Sequence, residues 1–206
     1  MLIPQSFDDE IAAHKSRGYL QEVRPESLPV ELMKIGDLAS IRLFVLSCCD
    51  GHQFLDITRH TQTCWNAAKQ TLGIKEITED CLHWRTENGG PFALSHKKLT
   101  TQYFRGDPVP VDKSILLTME KGMRLKGIPV VLHIGHSVCG MVKDDFDSIA
   151  AYEDHLVIAK DRVMKELGLG RSQVISWLQV HRSIGRRTHH LDCSLIRERG
   201  SLLKVA

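Results

Sequence analysis

The pattern of apolar and polar positions predicts strands that alternate with helices. Two continuous apolar runs, 41–46 and 130–134, are typical of strands covered on both faces, as in parallel sheets. A shorter run at 82–84 and a later one at 174–178 have the same character. Because alternating strands and helices form βαβ units, the sequence predicts an α/β fold with a mostly parallel sheet flanked by helices.

Helices are predicted where apolar residues recur every three or four positions. Ser114 would cap one helix, and Gly127 would end it. The clearest helix runs toward Gly168, which would stop it, and its apolar residues step by four, three, four and four: Tyr152, Leu156, Ala159, Val163 and Leu167. Both helices would pack one face against the sheet.

Two segments fit this alternation less well. Residues 1–35 form an N-terminal helical arm, in which Phe7, Ile11 and His14 make a narrow stripe. So short a helix is not stable alone, so we expect it to lie across another part of the protein or a second subunit. Residues 91–112 contain several prolines and polar residues and are predicted to be a loop insertion.

Composition limits the classes of protein that need considering. A length of 206 residues suits a single domain spanning 1–206, and a net charge of +2 gives no reason to expect nucleic acid as a partner. The chain contains no apolar run long enough to cross a membrane and does not begin like a signal peptide. We therefore expect a cytoplasmic protein whose six cysteines stay reduced, bound to metal or buried.

Candidate metal ligands follow the two clearest strands. Cys48 and Asp50 come after the first, and His136 and Cys139 come after the second. Two thiolates and one imidazole form a zinc ligand set that leaves a fourth position for water. Asp50 would lie on the same side as Cys48, where it would accept a hydrogen bond from the bound water or become the fourth ligand itself. Cys49 makes the choice of thiolate ambiguous by one residue.

These residues resemble the motifs of the β-class carbonic anhydrases. That family carries Cys-x-Asp-x-Arg after one strand and Gly-His-(Ser/Thr)-x-Cys-Gly after another, and the chain has Cys48-x-Asp50 and 135–140 in the same places. Segment 82–90 resembles the family strand that ends in Arg-Asn-Ala-Gly, and 114–127 and 174–180 resemble a later helix and strand. The resemblance covers roughly 35–182 and is dense only at the two metal motifs.

The resemblance implies a β-carbonic-anhydrase-like domain with a core of four parallel strands and a fifth at the edge. It implies a homodimer or a dimer of dimers, with one Zn²⁺ ion per subunit held by Cys48, His136 and Cys139. The implied reaction is the reversible hydration of carbon dioxide to bicarbonate by zinc-bound hydroxide, with Asp50 as the catalytic hydrogen-bond acceptor. No membrane or nucleic-acid partner is implied.

The chain departs from the family pattern at His52, where the family has the arginine that pairs with the aspartate. A neutral imidazole offers one hydrogen-bond donor, whereas arginine offers a charged, two-pronged donor group, so His52 would orient Asp50 more weakly. Alternatively, His52 would carry protons as a catalytic residue, or it would be an exposed turn residue without a role. The interval from Cys48 to His136 is also longer than we expect of the family. The identity of the substrate pocket, and with it the substrate, is therefore not fixed by the resemblance.

Two other functions therefore remain open. A related zinc hydrolase would act on another small heterocumulene, such as carbonyl sulfide or carbon disulfide. A non-catalytic relative would hold zinc structurally, with Asp50 closing the fourth position, and would serve as a binding or regulatory module.

Other histidines and cysteines are weaker candidates. His60 and Cys64 lie one helical turn apart and are an alternative ligand pair. A second metal site would be formed by His189, His190 and Cys193. His133 lies three residues from His136 on the same strand, and we expect it on the opposite face, in the core or behind the metal ligands.

Overall fold

The structure is a computed structural model that describes residues 5–35, 41–74, 82–181 and 185–197, without the side chains of 5, 51 and 52. The strands in that part of the chain are β1 (Leu20–Glu22), β2 (Leu43–Cys48), β3 (Leu82–Glu87), β4 (Thr101–Phe104), β5 (Asp107–Pro110), β6 (Val130–Ser137), β7 (Val174–His181) and β8 (Arg186–Leu191). The helices are α1 (Gln5–Ser16), α2 (Ser27–Met33), α3 (Gly51–Leu72), α4 (Lys97–Thr100), α5 (Val111–Lys126) and α6 (Ile149–Leu167).

Six of the described strands form one mostly parallel sheet, in the order β1-β8-β7-β6-β2-β3. The four strands β3, β2, β6 and β7 run parallel, and β8 and then β1 add antiparallel pairs. The predicted α/β class and mostly parallel sheet are confirmed, but the expected four to five strands were one too few. The extra strand is β1, whose three residues are too short to show an alternating pattern.

The sheet is buried on both faces, which explains the continuous apolar runs. In β2 all six residues are buried: Leu43 and Val45 point to one face, and Phe44 and Leu46 point to the other. Helices α2 and α3 cover the first face, and α1, α5 and α6 cover the second. Two-sided packing of this kind is what hydrophobic runs in parallel strands predict.

The predicted helices form, with one boundary corrected. Helix α6 covers the predicted segment; the Ser148 hydroxyl caps its start and Gly168 ends it at a φ of 65°. Helix α5 ends at Gly127 as predicted, but it begins at Val111 rather than at Ser114. Pro110 directly precedes α5, and its lack of a backbone N–H is harmless at a helix start, where that group has no partner within the helix.

Segment 91–112, predicted as a loop insertion, contains regular structure. A 3-10 helix (Gly90–Leu94) leads into α4, and the hairpin β4–β5 follows before α5. The 3-10 helix is fully buried and packs under the sheet, whereas β5 and the aromatic tip of the hairpin are exposed. The prolines that indicated a loop belong to the short elements themselves, because proline is tolerated in an exposed hairpin and at helix starts.

The N-terminal arm packs on its own chain. The ring of Phe7 meets Tyr152 of α6 edge-on at 6.3 Å, and a carboxylate oxygen of Glu10 accepts a hydrogen bond from the backbone N–H of Ile149 at 2.8 Å. His14 Nδ1 and Glu153 Oε1, both buried, lie 2.7 Å apart. Among the described residues, no helix is both long and apolar enough to span a lipid bilayer.

Candidate metal centre

The three predicted metal ligands meet where two neighbouring strands end. Cys48 is the last residue of β2, His136 is the last but one of β6, and Cys139 follows in the next loop. Strands β2 and β6 are parallel neighbours, and Ser47 pairs with Ile134 in their register. Parallel strands bring their carboxyl ends to the same edge of a sheet, so the two motifs become adjacent although they are distant along the chain.

The donor atoms form one compact, buried group. One donor atom each from Cys48, His136 and Cys139 lies within 4.8 Å of the other two. Their residues are only 3%, 0% and 1% exposed. In the part of the chain that the structure describes, neither ring nitrogen of His136 has a hydrogen-bond partner. Because this unpaired imidazole lies beside two thiol groups, it is suited to share a metal ion with them.

The chemistry of the donors fits zinc. Two sulfurs and one nitrogen are the soft and intermediate ligands that Zn²⁺ prefers, and three protein ligands are the number found in catalytic zinc sites. A hydrogen bond from the thiol of Cys139 lowers the pKa of Cys48 to about 4, with a smaller contribution from the adjacent ring of His136. The same hydrogen bond, together with burial, raises the pKa of Cys139. One thiolate is therefore favoured before any ion binds, and binding would release the second proton.

Cys49 does not belong to this group. Its side chain is exposed, and its Sγ donates a hydrogen bond to Oδ1 of Asn88 at 2.9 Å. Partial burial and the neighbouring Cys48 raise the pKa of the Cys49 thiol. Since successive residues of a strand point to opposite sides, only one of the two cysteines can face the site, and the structure selects Cys48.

Asp50 stands between β2 and α3, directly beside the group. Its backbone carbonyl accepts hydrogen bonds from the N–H groups of Gln53 and Phe54, both at 2.9 Å, and so opens α3. Its backbone N–H donates a hydrogen bond that helps to lower the pKa of Cys48, and its negative charge makes a small contribution to the raised pKa of Cys139. The carboxylate is not part of the compact donor group. His52 lies in the first turn of α3, and its side chain is outside the described residues.

Two residues outside the predicted ligand set support the ligands. Gly90 has a φ of +56°, and a Cβ there would lie 2.6 Å from the backbone nitrogen of Cys48, so its turn touches β2 directly. The backbone N–H of Cys139 donates a hydrogen bond to the phenolic oxygen of Tyr152 at 3.3 Å. The pair Gly89-Gly90 after a strand indicated a tight turn, but no local signal marked Tyr152 as a partner of the metal loop.

A pair of polar side chains, one on β7 and one on α3, lies next to the site. His181, at the end of that strand, is hydrogen-bonded to the side chain of Gln53. Burial lowers the pKa of His181 to about 4, and the positive charge of Arg186 adds to the effect. His181 is therefore neutral at physiological pH, and the Gln53–His181 pair links α3 to the strand beside His136.

The weaker candidates are not brought together. The described residues hold no second group of three metal-ligating side chains, so His189, His190 and Cys193 do not form the second site that was considered. His60 and Cys64 are in contact on α3, with Nε2 and Sγ 3.7 Å apart, but they have no third partner of this kind among the described residues. His133 is fully buried in β6, where burial lowers its pKa to about 3.

No protein-family model matches the chain, and no curated protein matches it in sequence. The functional interpretation therefore depends on the geometry and chemistry of the site.

Proposed function

We propose that the protein is a zinc enzyme that catalyses the reversible hydration of carbon dioxide to bicarbonate. The observation that carries the proposal is the buried group of Cys48, His136 and Cys139 at the carboxyl edge of a parallel sheet, with Asp50 two residues after the first ligand. Ligands in open α/β sheets bind at this edge.

The ligand residues would hold the ion at a neutral site. Two thiolates cancel the charge of Zn²⁺, and the imidazole of His136 adds none. A zinc ion held there would act as a Lewis acid and would make water a nucleophile near neutral pH. The turn at Gly90 and the hydrogen bond from Cys139 to Tyr152 keep the ligand-bearing backbone in place, so the donors need little rearrangement on binding.

Asp50 is the proposed catalytic residue of the chain. Its carboxylate accepts a hydrogen bond from the reacting water, which directs a lone pair of the water oxygen toward the substrate carbon. In the hydration direction the proton released from water must then leave the site. His52, one residue into α3, either donates a hydrogen bond that orients Asp50 or carries this proton outward.

The surroundings suit an uncharged substrate. Cys48 and Cys139 are part of the larger hydrophobic core, together with Phe92, Leu94 and Val142. Carbon dioxide, the uncharged reactant of the hydration direction, loses little hydration when it enters such surroundings.

A second candidate, a non-catalytic zinc protein, is favoured by the depth of the site. Each ligand residue is at most 3% exposed, a degree of burial that is also typical of structural zinc. In that case Asp50 would occupy the fourth position, and zinc would stabilise the fold without turnover.

Stopped-flow hydration of carbon dioxide with a pH indicator separates the two candidates. We expect wild-type protein with one zinc per chain to hydrate carbon dioxide, and Asp50→Asn to keep zinc while losing about 100-fold or more in rate. The control is Asp107→Asn, a change at an exposed aspartate of β5 that should leave the rate unaltered. Full zinc occupancy without hydration between about pH 6 and 9 would overturn the enzyme proposal in favour of structural zinc.

A further inference from the structure

A polar cavity of about 350 Å³ lies at the opposite edge of the sheet from the candidate metal centre. It opens where β7 begins and β8 ends, and its lining includes Lys160 of α6 together with Arg171, Ser172 and Ser194. Strand β7 runs from Val174 at this cavity to His181 near the ligands. A strand rises about 3.3 Å per residue, so the two places are roughly 20 Å apart.

Lys160 is a buried cation in this cavity. The residue is 8% exposed. Within the described ranges its ammonium group makes no hydrogen bond and no ion pair. Burial lowers the pKa of Lys160, and the positive charge of Arg171 acts in the same direction. A buried charge without a partner is costly, so Lys160 is suited to an anionic group that the cavity would receive.

The acidic residues around the cavity are already engaged. Glu31 Oε1 is paired with Nζ of Lys34 at 2.8 Å. Asp192 Oδ1 accepts hydrogen bonds from the backbone N–H groups of Ser194 and Leu195, at 3.0 and 3.4 Å. Neither carboxylate lies within 4.0 Å of Lys160, although the charge of Glu31 still favours the ammonium form at longer range.

The remaining groups leave a positive excess. Burial raises the pKa of the Cys193 thiol, so it is uncharged at neutral pH and cannot serve as a counterion. Arg171 is exposed at the rim, and its guanidinium group, like the ammonium group of Lys160, has no hydrogen bond or ion pair among the described residues. The cavity therefore presents one buried and one exposed cation from different elements, with Ser172 in its lining, whereas the Ser194 hydroxyl is already hydrogen-bonded to Asp192.

We infer that this cavity binds a small oxyanion of the phosphate type, with Lys160 at its base and Arg171 at its rim. Two cations and the neighbouring hydroxyl of Ser172 match the several acceptor oxygens of a phosphate group. The volume is at the lower end of the range for small-molecule sites, so the ligand is inorganic phosphate or a small phosphate monoester. This inference does not depend on the proposed zinc function.

Titration calorimetry with inorganic phosphate, at an ionic strength held constant with sodium chloride, tests the site. We expect saturable one-to-one binding to the full-length protein, and we expect Lys160→Met to weaken it at least tenfold. The matched control is Lys165→Met, on the same helix but exposed, which should bind as the wild type does. Arg171→Ala is a second variant that leaves the core untouched, and it should weaken binding several-fold.

Glycerol phosphate distinguishes the two sources of the ligand, since tighter binding than that of inorganic phosphate indicates a monoester and weaker binding indicates the free ion. Two results would overturn the inference. One is the absence of saturable binding of either ligand up to about 20 mM, a concentration well above the dissociation constant expected of a specific site. The other is binding that survives both Lys160→Met and Arg171→Ala but is lost in Cys139→Ser, which would put the anion at the metal centre.

Discussion

Gly90 and Cys48 touch backbone to backbone: a Cβ built on Gly90 would lie 2.6 Å from the Cys48 nitrogen and 2.9 Å from the carbonyl carbon of Ser47. The turn that follows β3 is thereby pressed against the end of β2 that carries the first ligand. Nothing flexible lies between them, so a side chain at position 90 can be accommodated only by moving the backbone of Cys48.

Gly90→Ala should therefore disturb zinc binding more than it disturbs folding elsewhere. We expect zinc affinity to fall by more than about tenfold, as for changes that displace the support of a ligand. Gly73→Ala is the matched control, because Gly73 also has a positive φ, of 63°, but a Cβ there meets nothing within 4 Å. It should lose only about 1 kcal/mol of stability and keep its zinc. Competition with a chromophoric chelator measures both affinities, and equal affinities would contradict the role given to Gly90.

The choice between adjacent cysteines gives a second prediction. Cys139→Ser and Cys48→Ser should each lower zinc affinity by more than about 100-fold, because each removes a thiolate ligand. Cys49→Ser should keep one zinc per chain, since the Cys49 thiol is turned to Asn88. Metal analysis of the purified variants checks this. Loss of zinc from Cys49→Ser with retention in Cys48→Ser would reverse the ligand assignment.

The two roles proposed for His52 predict opposite results for His52→Arg. If His52 orients Asp50, arginine should do so better with its charged, two-pronged donor group, and hydration at neutral pH should rise several-fold. If His52 carries protons, arginine cannot replace it, and the rate should fall, with recovery in concentrated imidazole buffer. Stopped-flow assays in weak and strong buffer distinguish the two, and an unchanged rate in both would show that neither role is needed.

His133 should make folding stability depend on pH. Its pKa is near 3 in the folded protein because of burial, below the ordinary value of 6.5, so the unfolded chain binds the extra proton first. The contribution of His133 is complete above about pH 6.5 and is lost as the pH falls toward the folded pKa, at about 1.4 kcal/mol per pH unit.

Urea unfolding of the zinc-free protein between about pH 4.5 and 7 measures this slope. We expect His133→Leu to reduce this slope by about 1.4 kcal/mol per pH unit, the equivalent of one proton, because leucine has no group that titrates. An unaltered slope in this variant would show that other groups account for the pH dependence.

Parts of the fold were predictable because the physical signal is local. A strand buried on both faces needs an unbroken apolar run, and β2 and β6 both have one. Helix α6 repeats its apolar residues with the helical period, and Ser148 and Gly168 mark its ends. Strands β1 and β8 and the hairpin β4–β5 were not located from the sequence. Strand β1 and the hairpin strands have only three or four residues, which carry too little pattern, and β8 is mostly polar, so all of them depend on their neighbours for pairing.

The candidate site divides in the same way. The sequence by itself determined which residue types follow the two clearest strands, and hence that Cys48, His136 and Cys139 could share one ion. Only the tertiary structure decided that Cys48 rather than Cys49 faces the site, that Gly90 and Tyr152 support the ligands, and that Lys160 is buried without a counterion among the described residues. These facts depend on which segments pack together across the sheet, and packing between distant segments leaves no periodic trace along the chain.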